Sequence, residues 1–328
     1  MSTLETNSIA KYSGNNVSVD DSLNLKSYTT TQRDALTSVA GDIIYNTSVN
    51  KPQYFDGSAW QNMAAPASVA FDYLAVAGGG GAGGVAASGS SRGPGGGGAG
   101  GMVASTFSLV AETDYTVTIG AGGPGGAIGF NNGTKGDDTK ITGDAGATHI
   151  SVDGGGLGSA QSNSGGDGGS GGGSGNLGGA GGSATSGQGN DGGAGASGVG
   201  GGGGGGGKGS AGTSSTGTTG GAGGSGQANS LSGSSVTYAA GGIGGNHLSS
   251  PSSPADGAAN TGNGGGGCGG NTGNRGGNGG SGILILKFPD SFTITIGAGL
   301  TPSDGSASTA GGFTTVQFTA GTGTISWA

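Results

Sequence analysis

Residues 199–210 read VGGGGGGGGKGS, eight consecutive glycines that end on Lys208. The stretch has three readings, and each gives a different fold: a phosphate-binding loop, a slack tether, or a rod built from backbone alone. A phosphate loop requires G-x-x-x-x-G-K-[ST] between a strand and a helix, with backbone N–H groups cradling phosphate and a hydroxyl holding magnesium. Gly202, Gly207 and Lys208 fit, but Gly209 stands where the hydroxyl belongs. No strand signal precedes the run and no helix former follows it. Matches to G-x-G-x-x-G recur here through composition alone and carry no dinucleotide reading.

Composition separates the tether from the rod. The 328 residues include 91 glycines and 8 prolines, a share at which low complexity is the starting expectation. Hydrophobic residues make only 30% and charged residues only 9%, so an ordinary core of Leu, Ile, Val and Phe cannot fill the body. Disordered chains usually combine low hydrophobicity with high net charge. Here the net charge is −8, and little self-repulsion holds the chain open.

A recurring pattern also argues against a tether. FDYLAVAGGGGAGG (71–84), DYTVTIGAGGPGG (114–126), THISVDGGGLG (148–158) and VTYAAGGIGG (236–245) each run a short β-branched or aromatic segment into glycine. FTITIGAG (292–299) repeats the theme. Paired strands can hold the glycine runs in register, which a spacer does not need.

The rod has a known backbone form. Collagen is excluded, because it requires strict Gly-X-Y spacing and abundant proline. An extended helix with three residues per turn, rising about 3.1 Å per residue, makes no internal hydrogen bonds. Its N–H and C=O groups point outward and need partners when buried, so adjacent glycine helices are expected to bond to one another. Glycine loses about 0.5–1 kcal/mol more than alanine on ordering, so such a layer must be large and cooperative. Clusters of turn formers, including GNLGG, SGQGND, GTSSTGTTGG, GQANSLSGSS and NHLSSPSSPADG, separate the runs. The expected fold is mainly β with a polyglycine II-like helix-sandwich domain and little or no α-helix.

Composition shifts divide the chain into an N-terminal β module (1–63), a linker AAPASVA (64–70), the glycine-rich domain (71–286) and a C-terminal β-strand module (287–328). In the first, DIIYN and PQYFD read as strands, and Asp56-Gly57 signals a hairpin before SAWQNM. Tyr45, Tyr54, Phe55 and Trp60 are its expected apolar contacts. TTTQRDALTSVAG is the one expected helix, stopped by Gly41. A unit this small buries little surface alone, so oligomerisation is expected.

Catalytic and ligand chemistry finds no foothold. The scattered ten Lys and Arg residues and the acidic balance exclude nucleic acid. Cys268 is the single cysteine, so no intramolecular disulfide framework exists. MSTLETNSIAKYSGNN lacks the apolar core of a signal peptide, and ILIL at 283–286 is too short to span a membrane. SGQGNDGGA (186–194) departs from a calcium nonapeptide at Ser186 and Gly193 and has no tandem copies. His149 and His247 lack partners at metal-ligand spacing, and no G-x-S-x-G lies between a strand and a helix. No catalytic, cofactor-binding or metal residue is therefore assigned, and no enzyme is expected. The remaining candidates are receptor-facing loop residues: Asn229, Ser230 and Leu231, and Asn246, His247, Leu248 and Ser249.

Two segments carry a family resemblance. GDIIYNTSVNKPQYFDGSAWQNM (41–63) resembles a module of tail-fibre and other appendage proteins of tailed phages, with the pattern Gly-x-x-x-Tyr-Asn-Thr followed by Tyr-x-Asp-Gly-x-x-Trp. Gly41, Tyr45, Asn46, Thr47, Tyr54, Asp56, Gly57 and Trp60 fill it. The region from DYLAVAGGGGAGG to GGNGGSGILILKF is similar to the glycine-rich domain of phage fibres and adhesins. Gly279, Gly280, Ser281 and Gly282 lead into the closing strand at 283–286. In the long-tail-fibre adhesins of T-even-like phages, such regions form sandwiches of polyglycine helices that display host-binding loops. This chain departs by carrying its own N-terminal module and a C-terminal FTTVQFTAGTGTISW.

The resemblance implies a structural virion appendage, a short tail fibre or fibre tip, that attaches to the host surface. It implies a homotrimer attached through the N-terminal module. Its partners would be other tail or appendage proteins and a bacterial receptor, either a glycan or an outer-membrane protein. The expected location is the virion, assembled in the host cytoplasm and acting outside cells. A head fibre or capsid decoration protein, or a cellular surface or matrix filament, stands as the alternative. A polysaccharide-degrading tailspike is disfavoured because strand repeats and acidic pairs are wanting.

Overall fold

A computed structural model describes residues 24–63, 67–86, 92–143, 146–161, 163–247, 254–269, 273–303 and 307–328. The chain forms two compact units, Met1–Pro66 and Ala67–Ala328. The first holds β1 (Ser27–Tyr28), α1 (Thr30–Asp34), β2 (Ile43–Asn46), β3 (Lys51–Phe55) and β4 (Trp60–Asn62). The strands lie in chain order, β1 parallel to β2 and the others antiparallel. A capping box starts the helix: Gln32 N–H donates to Thr29 Oγ1 at 3.3 Å, and Thr29 N–H donates to Gln32 Oε1 at 2.9 Å. The helix ends at Asp34, well short of Gly41, because it buries no residue and so short a helix needs packing to extend. Gly41 instead serves the entry to β2, with φ +99° and its N–H on Phe55 O at 2.7 Å.

The centre of this unit is polar. Ile44, Asn46 and Gln53 are buried. Asn46 Nδ2 and Arg33 Nη1 donate to Gln53 Oε1, both at 3.0 Å, and Gln53 Nε2 donates to Asn62 Oδ1 at 2.8 Å. The expected aromatic core is corrected accordingly. Strand alternation sends Ile44 and Asn46 toward α1 and turns Ile43 and Tyr45 away. Register then places Tyr54 beside Ile43 and Pro52 beside Tyr45 on that open face. Phe55 and Trp60 pair on the other face, ring centroids 5.5 Å apart, but stay half-buried. The Asp56-Gly57 turn forms as its sequence indicates, with φ +102° at Gly57. Asp56 Oδ1 accepts from Ala59 N at 2.7 Å and Ser58 N at 2.8 Å, and these bonds hold its carboxyl below the usual carboxylate pKa.

The second unit contains β5 (Ser68–Val76), β6 (Met102–Val110), β7 (Tyr115–Thr118), β8 (Thr139–Thr142), β9 (Thr148–Val152), β10 (Gln227–Asn229) and β11 (Val236–Tyr238). It continues with β12 (Ile283–Pro289), β13 (Ile294–Ile296), β14 (Leu300–Pro302), β15 (Ser308–Ala310) and β16 (Phe313–Trp327). One nearly barrel-shaped sheet runs β6-β5-β12-β16-β7-β8-β9, with β13, β14 and β15 paired to β16. β16 joins its two halves, pairing Phe318 with Leu284 of β12 and Ile325 with Tyr115 of β7. It turns at Gly321 (φ +96°), where a side chain would strike Gly299 O. Inside lie Phe71, Leu284, Phe288, Phe318 and Trp327, with Phe71 stacked on Trp327 at 5.7 Å. Outside, the β10–β11 hairpin lays Tyr238 and Leu231 over Leu74, Val76 and Ile285. The strands after residue 286 thus share a sheet with β5.

Glycine runs leave this sheet as extended rods bonded side by side. The rod 77–85 shows their period. Gly78, Gly81 and Gly84 donate to Asp137, Thr134 and Asn131, while Gly79, Ala82 and Val85 donate to Gly280, Gly277 and Asn274. Ala77, Gly80 and Gly83 donate to Gly101, Gly98 and Gly95. Every third N–H meets the same neighbour, the signature of a three-residue helix.

The run 200–208 is another such rod, and other rods surround it. It donates to 239–245 through Gly202, Gly205 and Lys208, to 171–174 through Gly203 and Gly206, and to 210–213 through Gly204 and Gly207. It accepts from 93–99, 193–196 and 221–224. With partners on all six sides, every position from Gly200 to Gly207 must be glycine, and Lys208 stands where the rod leaves the lattice. Rods at the rim need glycine only where they face inward: Gly123, Gly126, Gly133 and Gly136 are buried, while Ala121, Pro124, Thr134 and Lys135 are exposed. Where a rim rod lacks a neighbour, a side chain supplies the missing carbonyl. Asn263 Oδ1 accepts from Ala240 N at 2.8 Å, Asn278 Oδ1 from Gly125 N at 2.9 Å, and Asp138 Oδ1 from Gly154 N at 2.9 Å. The fold is therefore mainly β with a glycine-rich rod lattice and almost no helix.

Candidate functional site

Successive rods reverse direction, so their connections sort to two ends of the lattice. Strands β5 to β9, the β10–β11 hairpin and β12 occupy one end. Among the described residues, the far end carries turns around residues 127–131, 176–179, 196–199 and 215–218, together with Asn246 and His247.

The candidate loop residues divide between these ends. Asn229, Ser230 and Leu231 lie in the hairpin at the strand end, where Asn229 Oδ1 accepts from Leu231 N at 2.8 Å and Leu231 packs into the outer core cluster. Asn246 and His247 lie at the far end, separated from the hairpin by the rod 239–247, on the order of 25 Å long. Asn246 Oδ1 accepts from Gly220 N at 2.7 Å, and His247 is buried with its N–H on Thr218 O at 2.8 Å. Leu248 and Ser249 lie outside the described residues. Tyr45, Tyr54, Asp56, Gly57 and Trp60 belong to the first unit.

Sequence reasoning missed the exposed apolar residues of the far-end turns. Val199 and Ile128 are 64% and 61% exposed at the far end, with Phe130 and Leu177 near 40%. Two of the tips, at 176–178 and 196–199, are braced against one another. Leu177 N–H and Gly178 N–H both donate to Ala196 O, at 2.8 and 3.0 Å, and Asn176 Nδ2 donates to Gly198 O at 3.3 Å. Leu177 takes φ +77° to make its turn. The Arg92 guanidinium lies 5.7 Å from the Phe130 ring centroid. The missed signal is a single apolar residue set in a glycine turn, as in GNLGG and ASGVGG.

The remaining reactive groups are structural in placement. Cys268 is fully buried, and burial pushes its thiol up to about 11, which keeps it protonated at neutral pH. His149 packs between Tyr115 and Phe107, at 5.4 and 5.9 Å. Lys208 leaves its rod at the strand end, donating from Nζ to Gly187 O at 2.6 Å, and burial lowers its pKa. Among the described residues, no group of three or more His, Cys, Asp or Glu is placed to hold a metal ion. None of their helices is long and apolar enough to cross a membrane.

The family model of the glycine-rich domain matches residues 56–289, more than two thirds of the chain. A search of curated proteins finds no match. The match takes in the strands and rods from β5 to the end of β12, and the chain belongs to the glycine-rich domain family.

Proposed function

We propose that this chain is a structural virion appendage, a short phage tail fibre or fibre tip, whose rod lattice presents its far-end turns to a host surface. The observation that carries the reading is the set of exposed apolar tips at the end opposite the strands, with the Leu177 and Val199 turns braced against each other. A cross-bonded lattice holds loops rigidly, which lowers the ordering cost of binding. The open face of the N-terminal sheet, with Ile43, Tyr45 and Tyr54, suits the proposed trimeric attachment. The test uses purified chain in excess to block infection of the bacterium on which the virus is grown. Leu177→Ser with Val199→Ser should abolish the block and leave the melting temperature unchanged. Failure of the parent chain to block, or gold labelling confined to the virion head, overturns the reading.

A further inference from the structure

We infer that the rod lattice gates a self-modification, deamidation at its Asn-Gly steps, which proceeds only from an opened rod and therefore starts at the far end, at Asn132.

The sequence contains three Asn-Gly steps, Asn132-Gly133, Asn263-Gly264 and Asn278-Gly279, and all three fall in rods. Asparagine is among the thermolabile side chains, and a following glycine has no side chain to shield its backbone nitrogen. That nitrogen attacks the asparagine Cγ. The N–Cγ bond forms as the Cγ–Nδ2 bond breaks, and the attacking nitrogen's proton leaves with the amide as ammonia. Water then opens the five-membered imide at either carbonyl, giving aspartate or isoaspartate. No other reactant is required.

The lattice ties down both reacting ends. Each glycine N–H donates to a neighbouring rod: Gly133 to Gly158 O at 3.0 Å, Gly264 to Ala240 O at 2.9 Å and Gly279 to Gly123 O at 2.9 Å. Each asparagine side chain is held as well. Asn132 Oδ1 accepts from Ala160 N at 2.9 Å, Asn263 Oδ1 from Ala240 N at 2.8 Å and Asn278 Oδ1 from Gly125 N at 2.9 Å. Ala240 thus holds Asn263-Gly264 at both ends. Closing the imide must break the glycine bond and swing the carboxamide off its own partner.

Position along the rod separates the three steps. Asn263 lies inside its rod, flanked by Gly262 N–H on Ser281 O and Gly265 N–H on Gly80 O, both at 2.9 Å. Asn278 is flanked by Gly277 N–H on Gly266 O at 2.9 Å and Gly280 N–H on Asn263 O at 2.8 Å. Asn132 is exposed and lies where the 127–131 turn enters its rod. Ends and turns open at lower cost than enclosed segments. The products differ in consequence too. Isoaspartate adds one carbon to a backbone whose bonds repeat every third residue, so at Asn263 or Asn278 it shifts the register inside the lattice. At Asn132 either product adds a negative charge next to the turn that exposes Ile128 and Phe130.

The experiment incubates the full chain at mildly alkaline pH until the first site reacts, and maps each site by peptide mass beside synthetic peptides carrying the same steps. Asn263 and Asn278 should react at least about thirtyfold slower in the folded chain than in their peptides, the effect of two bonds of ordinary net strength. Asn132 should react first, and hydrogen exchange at Gly133, Gly264 and Gly279 should rank the same way. Asp256→Ala removes the carboxylate that accepts from Asn278 N at 2.8 Å, and should speed Asn278 while leaving Asn132 unchanged. Asp256→Asn keeps an acceptor and should restore most of the protection. Three outcomes overturn the inference: Asn263 or Asn278 reacting at the rate of its peptide, either of them reacting ahead of Asn132, or a rate at Asn278 indifferent to Asp256→Ala.

Discussion

Replacing Gly203 with alanine tests the lattice at its most enclosed rod. The backbone there lies outside the left-handed region, so alanine adopts it without strain. The new methyl would lie under 3.0 Å from Gly193 O and Ala194 O, which are backbone atoms and cannot rotate aside. Relief requires the rod 188–196 to move away. That movement breaks Gly193 N–H to Gly204 O (2.8 Å), Ala196 N–H to Gly201 O (3.1 Å) and Ser174 N–H to Gly193 O (3.1 Å). At about 1 kcal/mol net per bond, plus about 1–3 kcal/mol for overpacking, the cost is several kcal/mol. The stiffer unfolded chain offsets about 0.5–1 kcal/mol. A net loss of about 3–5.5 kcal/mol lowers the melting temperature of a unit this size by about 6–22 °C. Ala222→Val adds more carbon on an exposed rim position and should stay within about 0.5 kcal/mol of the parent. Scanning calorimetry measures both. A Gly203→Ala melt within about 1 °C of the parent, or an equal drop for Ala222→Val, refutes the close-packed rod.

Asn263→Ala removes the side-chain carbonyl that serves Ala240 N–H and should cost about 1–3 kcal/mol in urea unfolding. Asn263→Asp keeps the acceptor and should lose less; equal losses would show that the bond contributes nothing. Acid should loosen the Asp56 hairpin, because a carboxylate with a depressed folded pKa stabilises above its unfolded value of about 3.9 and loses that contribution as pH falls through the folded one. Hydrogen exchange in β3 and β4 should accelerate through that window in the parent but lack this component in Asp56→Asn. Identical pH profiles would remove the turn from the argument.

Much of the rod body was legible because glycine marks close approach directly. The strands at Ser68–Val76, Tyr115–Thr118, Thr148–Val152 and Val236–Tyr238 each precede a glycine run, as the repeated pattern indicates. Within the runs, uninterrupted glycine denotes an enclosed rod, and G-x-x-G, as at Gly133 and Gly136, denotes a rim rod. Rod direction was not legible, because it accumulates along the chain, and no local residue places Leu231 and His247 at opposite ends. The return of Phe313–Trp327 to a sheet begun at Ser68 was equally hidden, since strand partners so distant leave no local trace. In the N-terminal unit, aromatic residues suggested a core, but the one-residue offset between Ile44 and Tyr45 decided the face.

The alternation of rod direction makes the rod pair the unit of growth for this architecture. An insertion of a single rod would deliver the following chain to the wrong end, stranding β10 or β12 away from the sheet. An inserted pair returns the chain to its starting end and adds one more far-end turn. Changes of length confined to a turn disturb no rod at all. Two independent dials follow: paired insertions widen the platform, and turn substitutions rewrite what it displays. A lineage can therefore diversify the display quickly while the interior of the lattice stays fixed, held there by enclosed glycines that leave no room for a methyl group.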